Sequence, residues 1–301
     1  TRRTNLNEIP GALLDALIDT AKLLPILFLT YLAMEAIEHY AGERTYAWIK
    51  KARGAGPLFG GLMGIIPQCG FAGGAASLYA AGAVTAGTLA AVFVATSDEM
   101  LPILISEGSG AVIWKIMLFK FIAAVISGFA VDICLRAVRR KSGSVGAEED
   151  VNISAVCERD GCACEEDEHG GIFLPALHHT LKIGLLILVA SALLGVVFCF
   201  VGEDELSRLP INVPVLGEAM AALLGLIPNC SVSVLFTKLY VGGVMGIGPM
   251  LAGLCANGGV GLLVLFRMNG NVRKNIAFTA LMWALGTVWG VAAHYIFPLI
   301  L

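Results

Sequence analysis

Charged residues are scarce in this chain. Asp, Glu, Lys and Arg together make up 14% of its 301 residues, whereas ordinary soluble domains contain about 25%. The few charges are nearly balanced, with 20 basic and 23 acidic side chains, so the chain has no basic excess with which to bind nucleic acid. The composition therefore excludes a soluble enzyme, a nucleic-acid-binding protein and a disordered chain.

Apolar residues and glycine take the place of the missing charge. Hydrophobic residues make up 57% of the sequence, the mean hydropathy is +0.81, and many of the 36 glycines lie inside apolar runs. A membrane-spanning helix needs about 20 mostly apolar residues, and several runs reach this length. The sequence therefore predicts an all-α polytopic protein whose partner is the lipid bilayer.

One segment, residues 139–168, has a different composition. It holds nine acidic and four basic residues among Gly and Ser. Such a stretch cannot bury enough apolar surface to fold alone. We therefore predict three parts: a first membrane repeat at 1–137, an acidic cytoplasmic linker at 138–171, and a second membrane repeat at 172–301.

Three short motifs recur in the same order in the two halves. The pairs are ALIDTAK at 16–22 with ALHHTLK at 176–182, GIIPQCG at 64–70 with GLIPNCS at 225–231, and GFAVDI at 128–133 with GVAAHY at 290–295. The offset drifts only from 160 to 162 residues. Recurrence at a nearly fixed offset indicates that the chain is a duplication.

Each half is predicted to contain four apolar segments. Three are spanning helices, at 11–38, 86–105 and 110–136 in the first half and at 172–200, 246–266 and 275–301 in the second. The fourth segment, at 55–83 and 215–243, is interrupted at its centre by Pro, a polar residue and Cys. It is either one broken span or a re-entrant hairpin of two half-helices.

Clusters of basic residues decide between these alternatives. They lie at 44–53, 136–141 and 267–274, and the positive-inside rule assigns such clusters to the cytoplasmic side. All three share one side only if the interrupted segment is a hairpin. Three crossings per half then invert the second repeat relative to the first, and counting each hairpin arm gives about ten segments. Inverted repeats are typical of secondary transporters.

The paired breaks are the first candidate for a substrate site. Proline leaves carbonyl groups without helical partners, and irregular backbone at membrane depth is stable only inside protein or beside a watery cavity. In inverted repeats such breaks meet near the bilayer midplane. The alternative is that the prolines kink packed helices and the cysteines fill space. The predicted substrate-binding residues of the breaks are Gln68, Cys69, Asn229, Cys230 and Ser231.

The run Thr96-Ser97-Asp98-Glu99 is the second candidate. It lies between the apolar stretches LAAVFVA and MLPILI. An Asp inside a span costs about 2.5–3.5 kcal/mol, so such groups usually face a cavity or a partner. The alternative is that the helix ends early and the acids lie at its mouth. The second half has Asn257 at the matching place. We predict that Thr96, Ser97, Asp98, Glu99 and Asn257 line the site, and that Cys69, Cys230, Asp98 and Glu99 bind the metal.

The linker contains three thiols within eight residues, Cys157, Cys162 and Cys164, followed by His169. Thiolate and imidazole ligands suit Zn²⁺, Cu(I) and other soft metals. The spacing C-x4-C-x-C differs from that of standard zinc fingers, and cytoplasmic thiols stay reduced. These four residues form a second predicted metal site, for which sensing, delivery and incidental binding remain open.

The motifs GIIPQCG, TSDE and GLIPNCS resemble those of a bacterial family of ten-transmembrane heavy-metal exporters, whose members are also described as manganese transporters or arsenic efflux proteins. The resemblance extends over nearly the whole chain. It implies a multi-pass permease of the bacterial inner membrane that exports a metal or metalloid ion. The breaks are more distantly similar to those of organoarsenical efflux permeases. Those permeases carry a Cys-x-Cys motif, whereas this chain has one cysteine in each break.

These features together predict a secondary-active transporter that exports a divalent or heavy-metal ion by alternating access, with protons as the coupling ion. The sequence contains no Walker A motif, so ATP is not expected to drive it. The alternative cargo is a metalloid, an oxyanion or a small organic solute, with Lys115 or Lys120 facing the cavity. An enzyme with Cys69 or Cys230 as nucleophile is not expected, because no base lies near either residue in the sequence. No resident cofactor is predicted, and formation of a homodimer is left open.

Overall fold

The computed structural model describes residues 9–40, 53–66, 69–96, 100–106, 110–141, 173–201 and 213–300. All regular secondary structure within these ranges is helical, as the composition predicts. Three stretches in them are long and apolar enough to cross a membrane, namely Val112–Val138, Ile247–Met268 and Val272–Pro298. The chain is therefore a helical, multi-pass membrane protein.

Twelve α-helices and one short 3-10 helix lie in the described ranges. In chain order they are α1 (Ile9–Tyr40), the 3-10 helix (Arg53–Ala55), α2 (Gly56–Ile65), α3 (Cys69–Ala80), α4 (Ala86–Ala95), α5 (Met100–Ser106), α6 (Gly110–Lys141), α7 (Phe173–Val201), α8 (Leu216–Gly225), α9 (Cys230–Val241), α10 (Ile247–Ala256), α11 (Val260–Met268) and α12 (Val272–Ile300).

The series α1 to α6 recurs in the same order as α7 to α12. Helices α2 and α8 have 10 residues each, as do α4 and α10, and α3 and α9 have 12 each. Equivalent hydrogen bonds support the match. The Thr20 hydroxyl donates to the Ala16 carbonyl at 2.8 Å, and the Thr180 hydroxyl donates to the Ala176 carbonyl at 2.7 Å. The motifs that repeat in the sequence thus lie on helices that repeat in the structure.

The helices predicted at 86–105 and 246–266 differ from the prediction, because each is interrupted. Helix α4 ends at Ala95 before α5 begins, and α10 ends at Ala256 before α11 begins. The backbone leaves the helical region after each end, with ψ of 126° at Thr96 and 102° at Asn257. Gly259 has a φ of +50°, which side-chain-bearing residues rarely adopt. When each interrupted pair is counted once, the described helices form ten segments.

Matching glycine turns end α3 and α9. The φ angles of Gly82 and Gly243 are +73° and +72°, in the left-handed region that favours glycine after a helix. The Gly82 amide donates to the Tyr79 carbonyl at 2.9 Å, and the Gly243 amide donates to the Tyr240 carbonyl at 3.0 Å. Both turns lead directly into the next buried helix.

Glycine also permits the closest contacts between neighbouring helices. A Cβ atom at Gly64 would lie 2.6 Å from the Val92 carbonyl oxygen, and one at the matching Gly225 would lie 2.3 Å from the Gly253 carbonyl oxygen. Helix α2 therefore packs backbone-to-backbone on α4, and α8 does so on α10. Both α4 and α10 are buried on almost every side, which places them at the centre of the molecule.

Helices of the two repeats also interlock. Helix α3 packs on α11 of the second repeat, α9 packs on α5 of the first, and the two long helices α1 and α7 pack along each other. As a result, the helix before each interruption, α4 or α10, packs within its own repeat. The helix after it, α5 or α11, contacts the opposite repeat.

Candidate functional site

Asn257 organises the interruption between α10 and α11. Its Oδ1 accepts a hydrogen bond from the Gly259 amide at 2.7 Å, so it caps the start of α11. Its Nδ2 donates to Ser233 Oγ at 2.6 Å. Ser233 lies one turn after Cys230 in α9. The Asn257 side chain therefore links this interruption to the first turn of α9.

The same interruption contacts helices of the first repeat. A Cβ atom at Gly261 would lie 2.7 Å from the Ala72 carbonyl oxygen, and one at Gly258 would lie 2.5 Å from the Phe93 ring. Ala72 lies one turn after Cys69 in α3, and Phe93 is in the last turn of α4. The first turns of α3 and α9, where the two predicted breaks end, thus both adjoin residues 257–261.

A buried lysine connects the two interruptions. Lys120, on α6, has no exposed surface. Its ammonium donates to the Thr96 carbonyl and contacts the Leu254 carbonyl oxygen at 3.5 Å. Thr96 follows the last residue of α4, and Leu254 lies in the last turn of α10. Each helix C-terminus carries roughly half a negative charge, so the two ends together approximately balance the ammonium.

We call the place where Lys120 meets the ends of α4 and α10 the junction. Thr96 contributes its carbonyl group to this junction, and its hydroxyl group bonds elsewhere. Its Oγ1 donates to the Val92 carbonyl at 2.7 Å, within its own helix. Thr96 is buried, so this bond satisfies a hydroxyl that would otherwise be costly to desolvate. The residue predicted to line the site does reach the junction between the two interruptions, but through its backbone.

The remaining predicted residues are placed to different extents. Asn229 is buried directly before α9, and Cys69, Cys230 and Ser231 lie in the first turns of α3 and α9. The side chains of those last three residues lie outside the description, as do Gln68, Ser97, Asp98, Glu99, Cys157, Cys162, Cys164 and His169 as a whole. Within the described ranges, no three His, Cys, Asp or Glu residues are grouped closely enough to hold a metal ion.

Two polar residues of this region have roles that the sequence did not indicate. Ser233 is matched in the first repeat by Ala72, so the recurrence of motifs gave no reason to select it. For Lys120 the sequence suggested two places, the membrane interface or the cavity of an anion permease. Its ammonium instead meets two carbonyl groups. A lysine in the middle of a long apolar helix, five residues after Lys115, was the available signal.

The junction can stabilise positive charge. It combines the carbonyl ends of two buried helices with an amide and a hydroxyl, and oxygen donors of this kind suit divalent cations such as Mn²⁺. The partial negative charge of these carbonyl oxygens and helix C-termini is matched here by the Lys120 ammonium. In chemical terms this is a cation-stabilising centre, occupied here by the Lys120 ammonium.

A family model described as "Putative, 10TM heavy-metal exporter" matches residues 6–209 of the chain. The matched region is more than half of the sequence and includes all described helices from α1 to α7. No curated protein and no solved structure matches the chain.

Proposed function

Because this chain belongs to the family of ten-transmembrane heavy-metal exporters, we propose that it is a secondary-active transporter that exports a divalent or heavy-metal ion across the bacterial inner membrane. The family match confirms the resemblance predicted from GIIPQCG and TSDE, and with it the class of membrane exporter. The proposal goes beyond this class in three respects, which are alternating access, exchange for protons and the nature of the cargo.

The observation that carries the proposal is the meeting of the two interrupted helices at Lys120. Discontinuous helices of paired repeats form the substrate sites of many secondary transporters, and helices with exposed carbonyl ends persist at membrane depth only where they serve a cavity or are enclosed by protein. In this chain the interruption at residues 257–261 adjoins the first turns of both α3 and α9. The proposed transport site lies at this junction.

We assign the cargo ligands by their position along the chain. Asp98 and Glu99 lie two and three residues after Thr96, whose carbonyl meets Lys120, and Cys69 and Cys230 begin the two helices that adjoin residues 257–261. The nearby amides Gln68 and Asn229 complete the lining. Carboxylate and carbonyl oxygens favour Mn²⁺, whereas thiolates favour Zn²⁺ and softer ions. A site that combines oxygen and thiolate ligands therefore favours either Mn²⁺ or a softer divalent cation.

The alternative cargo, an oxyanion or other anionic solute, has less support. It requires a cationic side chain directed at the substrate, and Lys120 was the buried candidate. Its ammonium is held by the carbonyl groups of Thr96 and Leu254. An anion at this point would face the negative ends of two helices.

The test uses purified protein reconstituted in lipid vesicles. Thermal stabilisation and flux are measured with Mn²⁺, Zn²⁺, Cd²⁺ and arsenite, for the wild type and for Cys69→Ala and Asp98→Asn. We expect at least one divalent metal to stabilise the wild type and to move, and both variants to lose these effects. Cys134→Ala is the matched control, because Cys134 is exposed on α6.

Two results would contradict the proposal. Metal binding and flux that are unchanged in both variants would remove the proposed site. Stabilisation by arsenite alone would replace the divalent cation with a metalloid as the cargo.

A further inference from the structure

A buried acid and a histidine meet where α8 and α12 pack on the start of α10. Glu218 is 1% exposed, and its Oε1 lies 3.3 Å from His294 Nδ1. Gly248 makes room for the pair, since a Cβ atom there would lie 2.7 Å from Glu218 Oε1 and 2.9 Å from His294 Cβ. Three helices of the second repeat thus enclose Glu218, and His294 lies at the edge of this enclosure.

The Glu218 carboxyl group is only half satisfied. Its Oε2 is buried and has no hydrogen-bond partner among the described residues. An ionised carboxylate in such a position loses its hydration without full compensation. A proton on Glu218, or a positive charge on His294, removes part of that penalty.

The first repeat has a fixed arrangement at the matching place. Asp132 stands where the second repeat has His294, and its Oδ1 accepts from the Gly87 amide at 2.9 Å. Its Oδ2 accepts from the Thr85 hydroxyl at 2.8 Å. Both carboxylate oxygens thus have donors, and they cap the start of α4.

In the second repeat these capping residues are replaced. Gly246 takes the place of Thr85 and has no side chain to cap α10, and Glu218 takes the place of the buried Pro57. Because the first repeat packs with proline at this point, packing alone does not require an acid there. The exchange of a fixed carboxylate cap for a carboxylate–imidazole pair is specific to the second repeat.

The surroundings of the pair contain few other ionisable groups. The Tyr295 ring contacts the His294 ring, with centroids 5.3 Å apart. No other described side chain forms a hydrogen bond or an ion pair with Glu218 or His294. The remaining ionisable residues on the elements packed around them are Cys255 on α10, Arg273 and Lys274 on α12, Cys230, Lys238 and Tyr240 on α9, Arg267 on α11, and Lys115, Lys120, Asp132, Cys134, Arg136, Arg139, Arg140 and Lys141 on α6.

We propose that Glu218 and His294 form a proton-binding site. The His294 side chain is 40% exposed, whereas Glu218 is enclosed, so the imidazole is the path from the exterior to the carboxylate. A proton binds at His294 Nε2, and the Nδ1 proton passes to Glu218 Oε1. The pair gains one proton, and its net charge changes from −1 to zero.

The role of this site in transport rests on the proposed function. The basic cluster at 267–274 is assigned to the cytoplasmic side, and α12 runs from it across the membrane, so His294 lies towards the opposite side. Protons that enter from outside would reach the pair there, while metal leaves the cell. The pair is then the loading site for the coupling proton.

The first experiment needs no metal. Infrared difference spectra of the protein in lipid vesicles are recorded between neutral and acidic pH. We expect a carboxylic-acid C=O band on acidification that is lost in Glu218→Gln. In His294→Asn, whose amide nitrogen replaces the Nδ1 donor but cannot relay a proton, the band should form more slowly after a pH jump. Tyr295→Phe is the control and should keep both the band and its rate.

The second experiment measures metal flux with and without an inward proton gradient. We expect the gradient to accelerate export in the wild type and in Tyr295→Phe, and this acceleration to be lost in Glu218→Gln. A C=O band that persists in Glu218→Gln would overturn the proton site. Acceleration that persists in that variant would overturn its role in coupling. Because the spectra are recorded without metal, they decide the proton site even if no metal is exported.

Discussion

At the scale of single residues, the junction depends on one charged side chain, that of Lys120. A buried ammonium loses several kcal/mol of hydration free energy unless other groups replace the water. The carbonyl groups of Thr96 and Leu254 do so, and they belong to two helices of different repeats. One charged side chain therefore holds together two helix ends that would otherwise present unpaired carbonyl groups to each other.

Replacing Lys120 with Met tests this role. Met fills a similar volume but donates no hydrogen bond, so two buried carbonyl groups lose a donor. We expect the free energy of unfolding to fall by about 1–3 kcal/mol, measured by unfolding in SDS, and Lys120→Arg to retain part of the stability. Lys238→Met is the matched control, because Lys238 is exposed on α9. Equal stability of Lys120→Met and the wild type would show that the ammonium does not hold the junction.

The pair Asn257 and Ser233 permits a second residue-scale prediction. Ser233→Ala removes one hydrogen bond, whereas Asn257→Ala removes the same bond and the cap on Gly259. We expect Ser233→Ala to lower the free energy of unfolding by about 0.5–1.5 kcal/mol and Asn257→Ala to lower it further. In the double variant the two losses should not add. Fully additive losses would mean that the two side chains act independently.

At the scale of elements, the backbone contact between α2 and α4 recurs between α8 and α10. Both contacts depend on a glycine for which no larger residue has space. Close approach of this kind gives van der Waals contact between helices in a membrane, where apolar side chains gain little by leaving lipid. The two central helices, α4 and α10, are therefore held more by van der Waals contact between closely fitting surfaces than by hydrophobic burial.

Alanine at Gly64 or Gly225 tests these contacts. The added methyl group meets backbone atoms, which cannot rotate away, so we expect each variant to lose about 1–3 kcal/mol of stability. Gly11→Ala is the control, since nothing lies within 4 Å of its added Cβ atom. Alanine should be neutral or slightly stabilising there, because it favours helix more than glycine does. A similar effect at all three positions would refute the packing argument.

Much of this element-scale architecture could be predicted from sequence. Apolar runs and the repeated motifs predicted the positions of the long helices and the start of α3 and α9 after a Pro-containing break. The interruption after Ala95 was predicted only as the alternative in which the helix ends early, because LAAVFVA and MLPILI are apolar on both sides of it. The run of Thr96 to Glu99 was selected for its chemistry, and the change of backbone direction there has no signature in hydropathy.

The candidate site was predictable only in part, for a related reason. Asn257 was selected as the amide kept at the place that matches the run Thr96 to Glu99, and the structure gives it two hydrogen bonds in the junction. Glu218 was not selected, and the partners of Lys120 were not predicted, because the residues that these side chains contact are distant in the sequence. Contacts such as Glu218 with His294 depend on tertiary packing, which neither motif spacing nor composition encodes.

At the scale of the whole molecule, the relation between the repeats determines how the protein is inserted in the membrane. Ser127 and Trp289 occupy matching positions of α6 and α12 and bond to each other, with Trp289 Nε1 donating to Ser127 Oγ at 2.6 Å. Contact between equivalent positions is typical of a two-fold relation. A two-fold axis in the membrane plane gives inverted repeats and one along the membrane normal gives parallel repeats, so the inverted orientation that the basic clusters predict needs a separate test.

Cysteines introduced before α2 and α8 test the orientation. Gly54 and Val213 are both exposed and precede matching helices. In an inverted repeat, a membrane-impermeant thiol probe should label Gly54→Cys and Val213→Cys from opposite sides of the membrane. Labelling of the native cysteines in the parent chain provides the background. Labelling of both positions from the same side would mean that the two repeats are parallel.

The exchange of partners at the interruptions has a mechanical consequence. Helix α4 is fixed to α2 and α6, while α5, which follows it in the chain, lies on α9; α10 is fixed to α8 and α12, while α11 lies on α3. Each half thus packs against a helix whose chain continues from the other half. We expect a tilt of one half to displace that helix, so that the two halves move together about the chain segments next to the buried ammonium.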